Sequence, residues 1–513
     1  MAKGVHRLFL LCLILTFFGE KGHGEEVYHT LTYLYGSSVD YVSGDHLPFF
    51  MTANRNGVLS PQGSQGYIRG AVAYKHQKED KKSYWGAGAD LIGYASSHDD
   101  YYRNNAYLQQ IYAEIGGGQY FLTLGSKERP ARFVNPELSS GNMAWSNNMR
   151  PVPGIHFGTN DFVKMFIIAD LLESSFDLFY GKMLDGRYNR GRFDQYALLG
   201  NEGPLRASGV EGAYLHRKSV FVRTPSKMPF YVTVGIEHIA IFGGKIRHID
   251  GVWDPSREMV YFNQTCKWGN ALFGGEGNTE DALNHLMTLN VRLDFKHEKF
   301  SLAAYKQHYT DDLNSKSFTN YADGLWGVEL KLRRTPWLEN LVIEYIKTNS
   351  QGDNTQALQK LQAGEEVTVE DFASDFYQDE RFGAFSYYGM LCGNPMIASP
   401  IYNADHYPGL LHNNIQGFHV GASGAFSRDL AYKVKYCSIT SEGNPWTSAM
   451  EHLAGRSTTK SGNDSFLLEL TYNYSDWEFS SQISLDRGEL LGNNFGFGLT
   501  ACYRGRLMKA VWK

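Results

Sequence analysis

One segment of the chain, residues 127–154, concentrates side chains of the types that bind sugars. Planar hydrogen-bonding groups beside an aromatic face suit a sugar ring, and the forked guanidinium of arginine suits a uronate or sulfate group. The candidate glycan-binding residues here are Lys127, Glu128, Arg129, Asn142, Trp145, Asn148 and Arg150. The simpler interpretation is a plug whose Arg and Glu side chains pair with charges on a surrounding wall. Both interpretations stay open at this point.

A second candidate is the densest basic cluster of the chain. Its members are His216, Arg217, Lys218, Arg223 and Lys227. Such a cluster is more often an ordinary solvated rim than an anion site, yet it is the best local candidate for contact with an acidic polysaccharide. We take His216 and Arg217 as its candidate glycan-binding residues.

Acid–base chemistry is conceivable at Glu237 and His238, which precede the glycine pair Gly243 and Gly244. A general acid and base need a defined mutual geometry, and the sequence offers no second carboxylate at a suitable spacing. The four cysteines that follow residue 24 (Cys266, Cys392, Cys437 and Cys502) lie far apart and include no C-x-x-C pair. We therefore predict no catalytic residue, no metal site and no cofactor.

The elements that must hold these residues are strands. Between residues 284 and 295, Met287, Leu289, Val291, Leu293 and Phe295 alternate with Thr288, Asn290, Arg292 and Asp294. This period-two alternation is typical of a strand with one apolar and one polar face. Both charges fall on the polar face. Strands that are apolar outside and polar inside favour a barrel with lipid outside and water within.

Similar patterns recur along the chain and predict an all-β fold, a transmembrane antiparallel β-barrel of about 16–18 strands. The candidate strands are Tyr67–His76, Tyr84–Ala95, Leu108–Gly116, Gln119–Gly125, Val163–Leu171, Phe176–Met183, Tyr214–Val222, Phe230–Ile241, Leu286–Lys296, Phe300–His308, Leu325–Arg333, Leu341–Lys347, Ile415–Ala425, Leu430–Ile439, 466–474, 477–486 and 495–503. Short turns alternate with long polar insertions, as in barrels with tight periplasmic turns. Segment 127–154 fits no strand pattern, and we predict a small loop or helical insert or plug there.

The N-terminus is typical of an export signal. Lys3 and Arg7 precede the apolar run Leu8–Phe18, and Gly22–Gly24 is a plausible small-residue cleavage site. We predict a signal peptide over residues 1–24 and a single barrel domain over residues 25–513. The apolar run is shorter than the roughly 20 residues of a membrane-spanning helix, although a retained anchor remains the alternative.

Composition is compatible with this barrel and argues against one class of partner. Aromatic residues make up 14% of the chain, including 33 Tyr and 31 Phe, which suits aromatic girdles at two lipid–water interfaces. A large glycan-binding β protein could be equally aromatic. The net charge of −5 argues against nucleic acid as a partner, since that partner requires a basic face.

Several motifs resemble the Wzi family of capsule assembly proteins. They are G-S-K-E-R-P (125–130), N-P-E-L-S-S-G-N (135–142), S-N-N-M-R-P-V-P (146–153), V-G-I-E-H (234–238) with F-G-G (242–244), D-G-L-W-G-V-E-L (323–330), Y-Y-G-M-L-C-G-N-P (387–395) and N-N-I-Q-G-F-H-V-G (413–421). Each motif is only moderately specific, but their order is informative. The resemblance runs from about Gly66 to Tyr503. The chain departs from the common barrel pattern at its end, because the last strand is expected to close at Tyr503, ten residues before the terminus.

The resemblance implies an outer-membrane barrel of about 18 strands that helps to hold capsular polysaccharide on the cell surface, without an enzymatic step. The implied partners are capsular or surface polysaccharide and outer-membrane lipid. Three alternatives stay open: a diffusion porin or solute transporter with a polar lumen, an outer-membrane hydrolase, and a soluble β-rich lectin.

Overall fold

The strands form one closed antiparallel barrel. The computed structural model describes residues 26–78, 83–98, 106–165, 171–198, 209–248, 251–253, 283–310, 320–351, 359–360, 362–365, 376–379, 382–445 and 460–512. The predicted signal peptide and Cys266 lie outside these residues. Each barrel strand pairs with the next along the chain, and the last pairs with the first from Glu26↔Trp512 to Ser43↔Phe495. The predicted all-β barrel is therefore confirmed.

Within the described residues the barrel has 18 strands, because the two-residue strand Val163–Lys164 pairs with the same neighbour as β6 and continues it. The strands are β1 (Glu26–Ser43), β2 (Gln65–Lys78), β3 (Ser83–Ser96), β4 (Ala106–Gly117), β5 (Tyr120–Ser126), β6 (Gly154–Thr159), β7 (Glu173–Lys182), β8 (Tyr214–Arg223), β9 (Phe230–Phe242), β10 (Leu283–Lys296), β11 (Phe300–Thr310), β12 (Gly324–Leu332), β13 (Asn340–Lys347), β14 (Ile415–Ala425), β15 (Leu430–Ser441), β16 (Ser461–Tyr474), β17 (Trp477–Gly488) and β18 (Asn494–Trp512).

The two faces of the wall follow the alternation of the sequence. On β10, Val291 and Phe295 expose 45% and 40% of their surface on the outer face, whereas Asn290 and Asp294 are buried on the inner face. Exposed aromatic residues ring the outer face near both ends of the strands, among them Phe230 and Tyr474 at one end and Tyr41, Trp326 and Phe418 at the other. Such girdles mark the two interfaces of a bilayer.

The two ends of the barrel differ. Connections from even-numbered to odd-numbered strands are short, such as the two residues Ser475 and Asp476 between β16 and β17. Ser475 has a positive φ of 56°, a conformation that tight turns require. Connections from odd-numbered to even-numbered strands include all the long segments. The short-turn end therefore faces the periplasm, and the long-loop end faces outward.

The structure adds two strands to those predicted and changes a third. β1 was missed because its inner face carries Tyr28, Leu34 and Val42, which blur the polar side of the pattern. β6 was missed because its six residues directly follow the irregular segment. Of the strand predicted at Val163–Leu171, only Val163–Lys164 is a strand, and residues 166–170 lie outside the described residues.

The C-terminus also differs from the expectation. β18 does not close at Tyr503 but continues to Trp512 along β1, although its pairing with β17 ends at Trp477↔Tyr503. The partner that supports residues 504–512 is the strand that the sequence did not reveal.

Three segments from the long-loop end fold into the lumen. We name them the first insert (residues 44–64), the central insert (127–153) and the third insert (376–414, described except for 380–381). Their apolar side chains share one core with the wall, including Phe50, Met143, Met149, Leu391 and Ile397. The barrel is therefore filled by its own loops at this level.

Helices and small strands are confined to the connections. The described residues contain helices α1 (Phe49–Thr52) and α2 (Gly186–Leu198) and a 3-10 turn at Pro400–Tyr402. Strands outside the barrel are Gly209–Glu211, Lys245–His248, Gly251–Trp253, Gln378–Asp379, Gly383–Ala384, Ser386–Tyr387 and Met390–Leu391. None of the helices in the described part of the chain is long and apolar enough to cross a membrane. Cys392, Cys437 and Cys502 are buried free thiols.

Candidate functional site

The central insert spans the lumen from one wall to the opposite wall. It leaves the wall after β5 and returns to it at β6. At its far end the Asn135 amide donates to Glu329 of β12 (2.8 Å), the Ser140 backbone N–H donates to Glu344 of β13 (2.6 Å), and the Leu138 carbonyl contacts His419 of β14 (2.6 Å). β14 lies nine strands from β5, halfway round the barrel. The insert is thus anchored on both sides of the lumen.

The root of the insert is fixed by charges, as in the simpler interpretation of its sequence. Lys127 and Arg129 both contact Glu114 of β4, at 2.8 and 2.5 Å. Glu128 contacts Arg69 of β2 at 3.3 Å and accepts a hydrogen bond from Gln109 at 2.8 Å. Three of the candidate residues therefore pair with the wall.

A β-bulge makes the Glu128 contacts possible. The pairing of β3 with β4 shifts register between Asp90 and Leu91, so that two consecutive residues, Gln109 and Gln110, both contact the insert. Gln110 accepts a hydrogen bond from the Glu128 backbone N–H at 2.9 Å. A bulge re-aims side chains in this way because it adds one residue to one strand only.

The side of the insert that faces the long loops is packed against the other two inserts. The Asn148 amide donates to the Leu391 carbonyl at 3.1 Å, and the Ser146 hydroxyl donates to the Gly393 carbonyl at 2.6 Å. Asn54 of the first insert donates to the Ser140 carbonyl at 2.7 Å. Asn148 is completely buried. This candidate residue therefore joins the inserts and lies away from solvent.

Two neighbouring members of the predicted basic cluster point to opposite faces of β8. His216 lies on the outer face of β8, 1% exposed, with Nδ1 2.7 Å from the Phe179 carbonyl. Arg217 lies on the inner face and donates to Asp177 at 2.5 Å, with its guanidinium 4.7 Å from the ring centre of Trp145. Neighbouring residues of a strand point to opposite faces, so these two cannot contact one ligand.

The same rule separates Glu237 and His238. Glu237 faces the lumen and accepts a hydrogen bond from the Asn142 amide at 3.0 Å. His238 faces outward, where its Nε2 lies 2.9 Å from Nδ1 of His285. The two side chains do not form an acid–base pair.

A cavity of about 310 Å³ lies between the central insert and the wall of β6–β12. Four candidate residues line it: Arg129, Asn142, Trp145 and Arg217. The remaining lining residues are Pro130, Ala131, Arg132, Phe133, Val134, Asn135, Pro136, Phe162, Ser175, Asp177, Ser219, Phe221, Arg223, Tyr231, Thr233, Glu237, Arg292, Asp294, Glu329 and Lys331. Its volume is at the lower end of the range of small-molecule pockets, roughly 300–1,000 Å³.

The other candidates lie elsewhere. Lys127, Glu128 and Arg150 line a neighbouring cavity of about 50 Å³, together with Arg129, Trp145 and Arg217. The Arg150 guanidinium lies 3.8 Å from the ring centre of Tyr107 and 4.8 Å from that of Tyr388. Arg150 therefore stacks between the wall and the third insert.

Most cations of the larger cavity are paired with carboxylates. Arg223 contacts Glu173 at 2.6 Å, and Arg292 contacts Glu329 at 2.7 Å. Arg132 differs, because its guanidinium donates to the Thr159 carbonyl and, at 3.4 Å, to the Ser175 hydroxyl. Burial lowers the pKa of Arg132, while Asp177 acts in the opposite direction. An arginine nevertheless stays charged, because its pKa starts above about 12.

Sequence reasoning predicted part of this lining and missed another part. The inward positions of Arg292, Asp294, Glu329 and Lys331 follow from strand alternation. Arg132, Phe162 and Tyr231 were missed. Arg132 lies inside the predicted insert, so the rule that selected Arg129 and Arg150 could have included it. Phe162 and Tyr231 carry no signal of their own, since they reach the cavity only through the closure of the barrel.

One known protein family matches more than half of the chain. The family model "Capsule assembly protein Wzi" matches residues 61–361, which include every residue that lines the cavity. None of the curated proteins compared with the chain matches it. OccAB2 of Acinetobacter baumannii has a similar structure, with a TM-score of 0.45, 9% identity, and coverage of 95% of this chain and 100% of that chain. For Pseudomonas aeruginosa OprD the values are 0.42, 8%, 93% and 95%.

Proposed function

Since this chain belongs to the Wzi capsule assembly family, we propose that it binds and holds capsular polysaccharide on the cell surface, or helps to assemble it there, without catalysing a reaction. Its barrel is an outer-membrane barrel. The proposal includes export by a signal peptide at residues 1–24. Polysaccharide and outer-membrane lipid are its proposed partners.

The observation that carries the proposal is the filling of the lumen. Three inserts join one another and two opposite walls through buried hydrogen bonds, such as Asn394 to the Gly141 carbonyl at 2.7 Å. A diffusion porin needs a continuous aqueous path through the lumen, so this packing argues against the porin alternative. The opposite orientations of Glu237 and His238 argue against the hydrolase that they suggested.

We further propose that glycan contacts the charged cavity through Arg129, Asn142, Trp145 and Arg217. Trp145 offers an aromatic ring, and the other three offer amide and guanidinium donors. Lys127, Glu128, Asn148, Arg150 and His216 then act chiefly by holding the insert and the wall. This division follows from the lining of the larger cavity, which includes the first four residues and none of these five.

The first experiment compares a deletion strain with the wild type and with a complemented strain. We expect polysaccharide to be made in all three, but to be shed into the medium by the deletion strain. The measurement is the fraction of capsular polysaccharide that stays attached to cells. Unchanged attachment would overturn the proposed role.

A second experiment addresses the porin alternative. The purified barrel, inserted in a planar bilayer, is expected to give no steady ion conductance because its lumen is filled. Steady conductance of the wild-type protein would favour the porin over the tether.

A further inference from the structure

The lining of the cavity is densely charged. Six cationic side chains line it, namely Arg129, Arg132, Arg217, Arg223, Arg292 and Lys331, against the four carboxylates Asp177, Glu237, Asp294 and Glu329. The whole chain has the opposite balance, with a net charge of −5. Arg129 and Arg223 are neutralised by Glu114 and Glu173, which lie just behind the lining. An anionic ligand therefore needs a cation in this concave, partly buried site that has no carboxylate partner of its own.

Arg132 is the cation that is available to such a ligand. Among the described residues it has no carboxylate within salt-bridge distance, and it is exposed to the cavity. Its hydrogen bonds to Thr159 and Ser175 both use the same terminal nitrogen, Nη1. The other terminal nitrogen and Nε form the edge of the guanidinium that binds a carboxylate through two parallel hydrogen bonds.

Two further groups extend the site around Arg132. The guanidinium of Arg223 covers one face of Phe162 at 3.9 Å from the ring centre, and Tyr231 lies on the same wall. These groups place aromatic surface and cations side by side, which is the combination that binds an acidic sugar.

The cavity lies toward the short-turn end. Arg223 is the last residue of β8, Tyr231 is the second residue of β9, and Lys331 is next to last in β12. All three positions are close to the short turns, which face the periplasm. The packed side of the central insert lies on the opposite side, toward the long loops.

We propose that this cavity is a periplasm-facing site for one carboxylate-bearing sugar unit of an acidic polysaccharide, bound through the free edge of the Arg132 guanidinium. The choice of a glycan rests on the proposed function in its second form, help with assembly of the polysaccharide, because the filled lumen separates this cavity from the cell surface. The anionic group itself could also come from a free inorganic anion such as phosphate. The volume of about 310 Å³ suits a mono- or disaccharide segment.

The test is binding of tetragalacturonate to the full-length barrel in detergent, measured by calorimetry beside its methyl ester. The ester keeps the sugar rings but removes the negative charges. We expect the ester to bind at least about tenfold more weakly. We expect the same loss for Arg132→Ala with the acid, as for removal of one charge-assisted pair. Arg132→Lys keeps the charge but loses the fork, so its affinity should be intermediate.

Arg504→Ala is the matched control. Arg504 is also an arginine near the short-turn end, but it is 62% exposed and paired with Glu478 on β17. The Arg504→Ala variant loses the same charge as Arg132→Ala. If the loss of affinity in Arg132→Ala is a local effect, Arg504→Ala should bind tetragalacturonate within about twofold of wild type. Heat-modifiable migration in gels verifies that each variant is a folded barrel.

Three results would overturn the site: no binding of the acid, equal binding of acid and ester, or equal binding by wild type and Arg132→Ala. Phosphate binding that depends on Arg132, without tetragalacturonate binding, would assign the cavity to a small anion and overturn the glycan. A negative binding test would contradict this site but not the shedding of capsule expected from the deletion strain. Conversely, tetragalacturonate binding together with unchanged capsule attachment in the deletion strain would contradict the proposed function.

The side of access is tested separately with Arg132→Cys in a Cys266→Ser background, beside Cys266→Ser alone, and a bulky maleimide that cannot cross the outer membrane. The thiol should react in the purified barrel but not in intact cells. Equal labelling in both would show access from outside and contradict the periplasmic orientation.

Discussion

The two sides of the central insert satisfy their polar groups in different ways. On the side toward the long loops, amides and hydroxyls bond to backbone carbonyls of the other inserts, and Ser146 and Asn148 are at most 2% exposed. On the side toward the short turns, guanidinium groups face carboxylates of the wall, and a cavity separates Arg132 from the far strands.

This difference separates a dry, packed surface from a charged surface that borders a cavity. Neutral hydrogen bonds in a packed interior fix a position but leave nothing for a ligand, because an unmade bond there is costly. Charged groups are expensive to bury without solvent or partners. Their concentration on one side therefore marks where water enters and where an ion can be exchanged.

The largest expected effect on stability comes from Glu344→Ala. Glu344 anchors the far end of the central insert to the wall. The Glu344 carboxylate accepts hydrogen bonds from the Ser139 hydroxyl, the Ser140 backbone N–H and the Tyr305 hydroxyl, each at 2.6 Å. Each buried donor left unpaired costs about 1–3 kcal/mol. We expect the insert to detach, the melting temperature to fall, and the barrel to conduct ions in a planar bilayer.

Glu344→Gln is the control, because it keeps an acceptor oxygen at the same place. It should melt closer to wild type and conduct little. Wild-type melting and a silent bilayer for Glu344→Ala would contradict the anchoring role of this residue.

The next effect compares the same residue type on the two sides. Asn148→Ala removes bonds to Leu391 and Ser399 in a dry interior, which should cost about 2–3 kcal/mol. Asn135→Ala removes a bond to Glu329 beside the cavity and two bonds that its side-chain oxygen accepts from the backbone N–H groups of Glu137 and Leu138. Water can replace the lost partners on this side, so only about 1 kcal/mol is expected. Thermal melting in detergent measures both. Equal losses of stability in the two variants would contradict the difference between the packed and the solvated side of the central insert.

The barrel was largely predictable because its strands repeat one local rule. The alternation of Leu289 and Val291 with Asn290 and Arg292 fixes both the strand and its lipid face. The rule fails where the inner face is apolar, as at Leu34 of β1, since a blurred polar side removes the signal. It also fails at β6, which is too short to show a period.

The site was less predictable because it joins distant positions. Sequence identified the segment with Arg129 and Trp145 but could not tell that Asn148 faces a third insert some 240 residues away. It grouped His216 with Arg217, although strand alternation sends them to opposite faces. It did not select Arg132. What distinguishes Arg132 from the other arginines is that no carboxylate among the described residues lies within salt-bridge distance, and only the fold shows this.

A pH effect is expected where α2 meets the third insert. Asp185 is 1% exposed and accepts a hydrogen bond from the Tyr388 backbone N–H at 3.1 Å. Burial raises the pKa of Asp185 to about 7. The folded state therefore binds a proton that the unfolded state has lost, so local stability falls as pH rises from about 4 to 7. The protection factor of the Tyr388 amide in hydrogen exchange should fall over this range.

Asp185→Asn should abolish that trend, since an amide cannot ionise. A protection factor that depends on pH equally in wild type and variant would assign the effect to another group.

The smallest effect is expected for Lys331→Ala on the solvated side. Lys331 contacts Glu329 at 3.2 Å, but its side chain is 53% exposed. Such pairs contribute about 0.5 kcal/mol or less. Glu329 also keeps Arg292 at 2.7 Å and Asn135 at 2.8 Å, so no buried charge is left alone. Melting should be unchanged within error, whereas Arg292→Ala, which removes the guanidinium shared by Glu329 and Asp294, should lower it clearly. A large fall in the melting temperature of Lys331→Ala would mean that contacts on the solvated side stabilise the protein as much as those on the packed side.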